Sequence, residues 1–241
     1  MNKKYTYVWV SLIVLIFGII TVPIIVERLS SGTVVQNDRL NVSMNKDSLS
    51  YILLDGKKRK VPSFEFINQD SIVVTDEDYL GKVYVVDFFF TRCPSICPIM
   101  TTNLVALQNH FNKEPNFALA SFSITPQFDT PQVLRTYAEK YEIDTANWNL
   151  MTGDKEAVFD LANAGFNIFA AEMPEVPGGF EHSGLFALVD KEGYLRSRKD
   201  EFGNPIVYYR GAILEEKGAN DQGEEEEIGI LRADIKKLLK E

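Results

Sequence analysis

The chain holds only two cysteines in 241 residues, and they stand four apart in Thr91-Arg92-Cys93-Pro94-Ser95-Ile96-Cys97-Pro98. At that spacing in a helical turn, two side chains share one face at roughly 6 Å, near the upper end of what a disulfide accepts. The same pair can converge on one soft metal ion. Both uses need two accessible thiolates that face each other, so spacing alone leaves both open.

The flanking residues decide how such a pair is held. Val83 to Phe90 is β-branched and aromatic with no turn former, the pattern of a strand buried in a parallel sheet. After it, Cys97, Met100, Leu104, Leu107 and Phe111 recur at steps of three and four, which predicts a helix with one apolar stripe. Pro98 suits the first turn of that helix, where a missing N–H costs nothing. The cysteines therefore fall where a strand ends and a helix begins. Unpaired N–H groups and the positive end of the dipole there favour thiolates, and Arg92 adds a positive charge. Depressed pKa values are the expectation for both thiols.

Tyr7 to Val26 is uncharged and overwhelmingly apolar. Twenty residues at helical rise cover roughly 30 Å, the hydrocarbon thickness of a bilayer. No small-x-small cleavage site follows, so the stretch reads as an uncleaved single-pass anchor over 7–26. Lys3 and Lys4 place residues 1–6 on the cytoplasmic side, with a polar stalk over 27–46 and the domain, 47–241, beyond the membrane. A bare anchor with no transit peptide points to a bacterial inner membrane, with the domain facing the periplasm. The chain carries 34 acidic against 25 basic residues and a net charge of −9, which argues against nucleic acid as a partner. Two cysteines are too few for a disulfide framework in a domain of this size, so the pair is expected to do chemistry.

Within the domain, the runs at Leu53-Leu54 and Val61 to Ile67 read as a lead-in hairpin. Thr75-Asp76-Glu77-Asp78 starts a short helix that Gly81 closes. Phe117 to Ile124 and Trp148 to Met151 are strands, each followed by a helix, one opening at Thr130-Pro131 and one running to about Gly165. This alternation predicts an α/β fold with a parallel sheet and helices on both faces, active residues gathering at the carboxyl ends of strands. A loop over Glu172 to Gly179 delivers Phe180-Glu181-His182-Ser183-Gly184 to a strand, Leu185 to Val189, which turns into a second, Tyr194 to Arg198. Residues 217–241 hold an acidic segment and then Ile228, Leu231, Ile235 and Leu238 at the spacing of an amphipathic helix.

Few other residues invite a chemical reading. His182 lies in a Gly-rich loop, where functional side chains tend to sit, although on position alone a satisfied structural histidine is the better reading. His110 reads as a solvated or packed side chain, and Met100 and Met173 as core and loop filler. Asp87, in an otherwise apolar strand, is either a buried proton acceptor with a raised pKa or a carboxylate hydrogen-bonded locally. Asp129 is either functional or a helix-start charge.

Cys93-Pro94-x-x-Cys97-Pro98 between strand and helix, the Ser123 to Pro131 segment ending in Asp129-Thr130-Pro131, and His182-Ser183 before a strand and Asp190-x-x-Gly193 together resemble the Sco/SenC family. The resemblance spans roughly residues 60–209. It implies a thioredoxin-like fold, a central mixed sheet with flanking helices, on a single N-terminal transmembrane helix. It also implies copper, as Cu(I) or Cu(II), bound by Cys93, Cys97 and His182, and a role in assembling the CuA site of cytochrome c oxidase, whose CuA-bearing subunit is the partner. The sequence departs from the pattern at Thr125, where many members carry an aspartate. A thiol-disulfide oxidoreductase or peroxidase-like enzyme, with Cys93 attacking and Cys97 resolving, is the alternative; it does not need His182.

Overall fold

The computed structural model describes residues 11–12, 14–23, 41–42, 48–54, 56–176, 178–200 and 202–241. The chain divides into two units, Met1–Arg39 and Leu40–Glu241. In the first, residues 11–12 and 14–23 are helical, and Val14, Phe17 and Ile19 are exposed. Among the described residues no helix is long and apolar enough to cross a membrane. The remainder of the span expected over 7–26, and the stalk over 27–46 apart from residues 41–42, lie outside the described residues.

The second unit is built on a seven-stranded mixed sheet. Its strands are β1 (Glu65–Asn68), β2 (Val73–Thr75), β3 (Val83–Phe89), β4 (Phe117–Ser123), β5 (Trp148–Thr152), β6 (Leu185–Val189) and β7 (Tyr208–Arg210), in the order β7-β6-β3-β4-β5-β1-β2. The expectation of a parallel sheet holds only at its centre. There β3, β4 and β5 pair in parallel through the helical crossovers α1 (Ile96–His110) and α2 (Pro131–Lys140). The flanking pairs are antiparallel: β1 with β2 and β5, and β6 with β3 and β7. This is a thioredoxin-like α/β fold. The helix α3 (Lys155–Asp160) continues as a wider turn, Leu161–Phe166, that ends on Asn167 in a left-handed conformation.

The lead-in region differs from the sequence reading. Ser50–Leu54 pairs with Lys57–Lys58, while Val61 to Ile67 contributes instead to β1 at the other side of the domain. The strand expected at Tyr194 to Arg198 is Arg196–Lys199, and it pairs with Ser50–Leu54 in a separate small sheet. Alternation of apolar residues gives a strand's existence, whereas its partner depends on long-range packing.

The core is aromatic around Phe122, whose ring meets Phe64, Phe66 and Phe88 at centroid distances of 5.2, 5.4 and 5.4 Å. The last helix, α4 (Ile228–Lys240), buries Ile228, Leu231, Ile235 and Leu238 as its spacing predicts, and packs on β3 and α1. The acidic run before it is not a plain solvated linker. The Glu226 carboxylate accepts from the N–H groups of Ile228 (2.6 Å) and Gly229 (3.1 Å) at the start of α4, and Glu227 pairs with Arg198 and Arg210.

Candidate metal centre

Three separate elements converge at the carboxyl end of the central sheet. β3 and β4 run in register to Phe89 opposite Ser123, so the loop after β3 leaves the sheet beside the end of β4. Cys93 stands in that loop, ahead of α1 and not within it; its N–H donates to the Phe90 carbonyl at 3.2 Å. Cys97 is in the first turn of α1, beside Pro98. His182 ends a short hairpin that the sequence reading treated as loop: Phe180–His182 pairs antiparallel with Ala170–Glu172, setting His182 opposite Ala170. The ring of Phe90 holds this hairpin, with centroids 5.8 Å from Phe180 and 6.0 Å from His182.

The ligand atoms of Cys93, Cys97 and His182 lie within 4.8 Å of one another. Cys97 Sγ and His182 Nε2 are 3.1 Å apart, a hydrogen bond between thiol and imidazole. All three residues are buried, but Cys93 and His182 border a cleft of about 270 Å³ that Phe90, Val176, Phe180 and Glu181 also line. Both cysteines are free thiols. Metal–sulfur and metal–nitrogen bonds of ~2.0–2.3 Å put three ligands around one ion at separations of roughly 4 Å, so the triangle fits a single ion. Two thiolates and one imidazole select a soft or borderline metal such as copper or zinc.

The electrostatics split the two sulfurs. The side chain of Cys97 hydrogen-bonds the Cys93 sulfur and, against the opposing effect of burial, brings its pKa down to about 3; His182 and the Cys97 backbone N–H, 3.4 Å from Sγ, act in the same direction. Cys97 goes the other way, raised by burial and by the negative charge on Cys93. The expectation of two depressed thiols is thus corrected. The first-turn N–H of α1 serves Cys93, and Cys97 gives up its proton only when something else takes its place. The guanidinium of Arg92 stacks 3.4 Å over the ring of Phe128.

Asp87 combines its two sequence readings. It is buried in β3, accepts a hydrogen bond from the Ser121 hydroxyl, and burial raises its pKa to about 7 against the lowering effect of that bond. Asp129 stands just before α2, whose cap is Thr130 through the Val133 N–H, and its buried carboxylate accepts from Thr91, Ser123 and Thr125. Met100 is core and Met173 closes the hairpin loop through a backbone bond to Gly179. His110 lies on α1 away from the site, its ring edge-on to Phe111.

Comparison with known proteins agrees with this geometry. The SCO1/SenC family model matches residues 54–210, which include both cysteines and His182. The chain belongs to the SCO1/SenC family. A SCO1 protein homolog of Bacillus subtilis is 32% identical over 177 residues, covering 73% of this chain and 86% of the relative. A putative copper-binding protein of Stutzerimonas stutzeri is 31% identical over 162 residues, covering 65% of this chain and 78% of the relative. Among solved structures, BsSco, described as a member of the Sco family of cytochrome c oxidase assembly proteins with a disulfide switch, is 27% identical. Its TM-score is 0.61, covering 82% of this chain and 98% of that one.

Proposed function

We propose that this SCO1/SenC protein is a membrane-anchored copper-binding chaperone that assembles the CuA site of cytochrome c oxidase, holding copper on Cys93, Cys97 and His182. The observation that carries the reading is the convergence of these three ligand atoms, from three different elements, within 4.8 Å. Dithiol exchange needs no imidazole, whereas a soft-metal site gains a third ligand from His182. Copper is supported by the donor set and by the copper-binding description of the Stutzerimonas relative; the oxidase, by that of BsSco. Two thiolates suit Cu(I), and the imidazole lets the same site accept Cu(II). With only three protein ligands and a cleft alongside, the ion can be passed to an incoming ligand without the site being dismantled.

We place the anchor over residues 7–26 in the inner membrane, single-pass, with the domain on the periplasmic side. Supporting this are the uncharged apolar run, the lysines before it, and the helical, outward-facing apolar side chains among residues 14–23.

The test is a copper titration of the reduced protein, native against His182→Ala. One equivalent bound tightly by the native chain, and affinity lower by roughly 100-fold or more in the variant with its circular dichroism unchanged, is the expected result. Binding indifferent to His182 removes it from the site. A second reading, thiol-disulfide exchange, is favoured by the divergent acidities of Cys93 and Cys97, those of an attacking and a resolving thiol.

A further inference from the structure

We infer that Asp129 is a positioning residue for the metal centre, fixing Cys93 by tying down Thr91, and that Thr125 completes its cage; the inference rests on the copper-site reading above. Asp129 is fully buried, and among the described residues no cation pairs with it. Its carboxylate takes four hydrogen bonds instead. Oδ1 accepts from the Thr91 hydroxyl, and Oδ2 from the Thr91 N–H (3.1 Å), the Ser123 hydroxyl (2.6 Å) and the Thr125 hydroxyl (2.9 Å). A carboxylate has about four lone-pair sites, and four donors face this one, three of them on Oδ2.

The local fold does not require that side chain. The turn from Thr125 to Asp129 is closed by backbone bonds from the Phe128 and Asp129 N–H groups to the Thr125 carbonyl (2.8 and 2.9 Å), and α2 has its own cap in Thr130. What the carboxylate adds is a bridge from the end of β4 to Thr91, two residues before Cys93. Cys93 is the one cysteine outside regular structure, so its place depends on this bridge and on its own bond to Phe90. Thr125 stands where the family pattern often has an aspartate. A second carboxylate there would face the first, whereas the threonine hydroxyl supplies a donor and completes the cage.

The test compares the native chain with Asp129→Asn, Thr91→Val and Thr91→Ser. Asparagine turns one acceptor into a donor facing donors; valine removes one hydroxyl and serine restores it. Three readouts are taken: Cu(I) affinity by chelator competition, the pH profile of Cys93 alkylation without metal, and the thermal melt. The expected result for Asp129→Asn and Thr91→Val is a cooperative melt, Cu(I) affinity at least tenfold weaker, and a Cys93 profile moved toward that of an ordinary thiol. Thr91→Ser recovers both site readouts. Folded variants with native affinity and a native Cys93 profile overturn the inference and leave Asp129 a fold residue. If Asp129→Asn does not fold, the Val and Ser pair at Thr91 decides. If the native chain holds no copper tightly, the copper reading fails, and the Cys93 profile still decides whether Asp129 positions the loop.

Discussion

The two sulfurs of the site are chemically alike and physically opposed. Cys93 sits in a loop where its neighbours donate to it; Cys97 sits deeper, beside a negative charge already placed. A thiol whose pKa is lowered from the ordinary value to about 3 is ionised throughout the physiological range, so its reaction with iodoacetamide stays flat from about pH 8 down to about pH 5, where an ordinary thiol slows roughly tenfold per unit. Cys97 should stay unmodified over the same interval until the fold is lost. Peptide mapping after alkylation at several pH values checks both statements, and equal labelling of the two would refute the split. The cysteine pair was legible because Cys-Pro-x-x-Cys-Pro carries its own signal, whereas His182 stood out as a ligand only through the family resemblance. The split was not, because it depends on which sulfur the α1 N–H reaches, and a helix starting at Ile96 leaves Cys93 outside it. Asp129 was ambiguous for a related reason: its partners Thr91, Ser123 and Thr125 are unremarkable hydroxyl residues until the strands bring them together.

At the scale of elements, periodicity identified α1, α2, α4 and the three central strands. These are long segments whose own residues supply the pattern. It misjudged the short pieces, whose pairing is set by neighbours: the small sheet of Ser50–Leu54 and Arg196–Lys199, and the hairpin that brings in His182. Among the described residues that hairpin pairs with no larger sheet. Its loop leans on the cysteine loop at Gly178, where φ is +95° and an added Cβ would lie 3.0 Å from the Phe90 ring and 3.3 Å from Pro94. Gly178→Ala should therefore push the hairpin outward, weakening metal binding several-fold through a displaced His182 and lowering the melting temperature by a few degrees, since alanine is strained at that φ and Phe90 belongs to the core. Calorimetric titration beside a thermal melt measures both; native affinity in the variant would show that the contact does not govern the histidine.

For the whole molecule, the proposed anchor has a direct consequence. The full chain should remain in the membrane fraction through an alkaline carbonate wash, and release into the supernatant would instead mean a peripheral or processed protein. The carbonate wash removes peripheral contacts and spares a spanning helix, so it separates those cases. Within the domain, the bond between Cys97 and His182 joins residues 85 apart in sequence. An ion seated on both acts as a clasp between α1 and a hairpin that the main sheet does not hold. Any ligand that binds only the folded form adds stability, about 2.7 kcal/mol when present at 100 times its dissociation constant. With the proposed ion bound, that gain would tighten a hairpin that borders the cleft. Under the proposed function, loaded and empty proteins would then present different surfaces to a recipient, and linkage would work in both directions: a recipient preferring the unclasped hairpin would loosen the ion by docking.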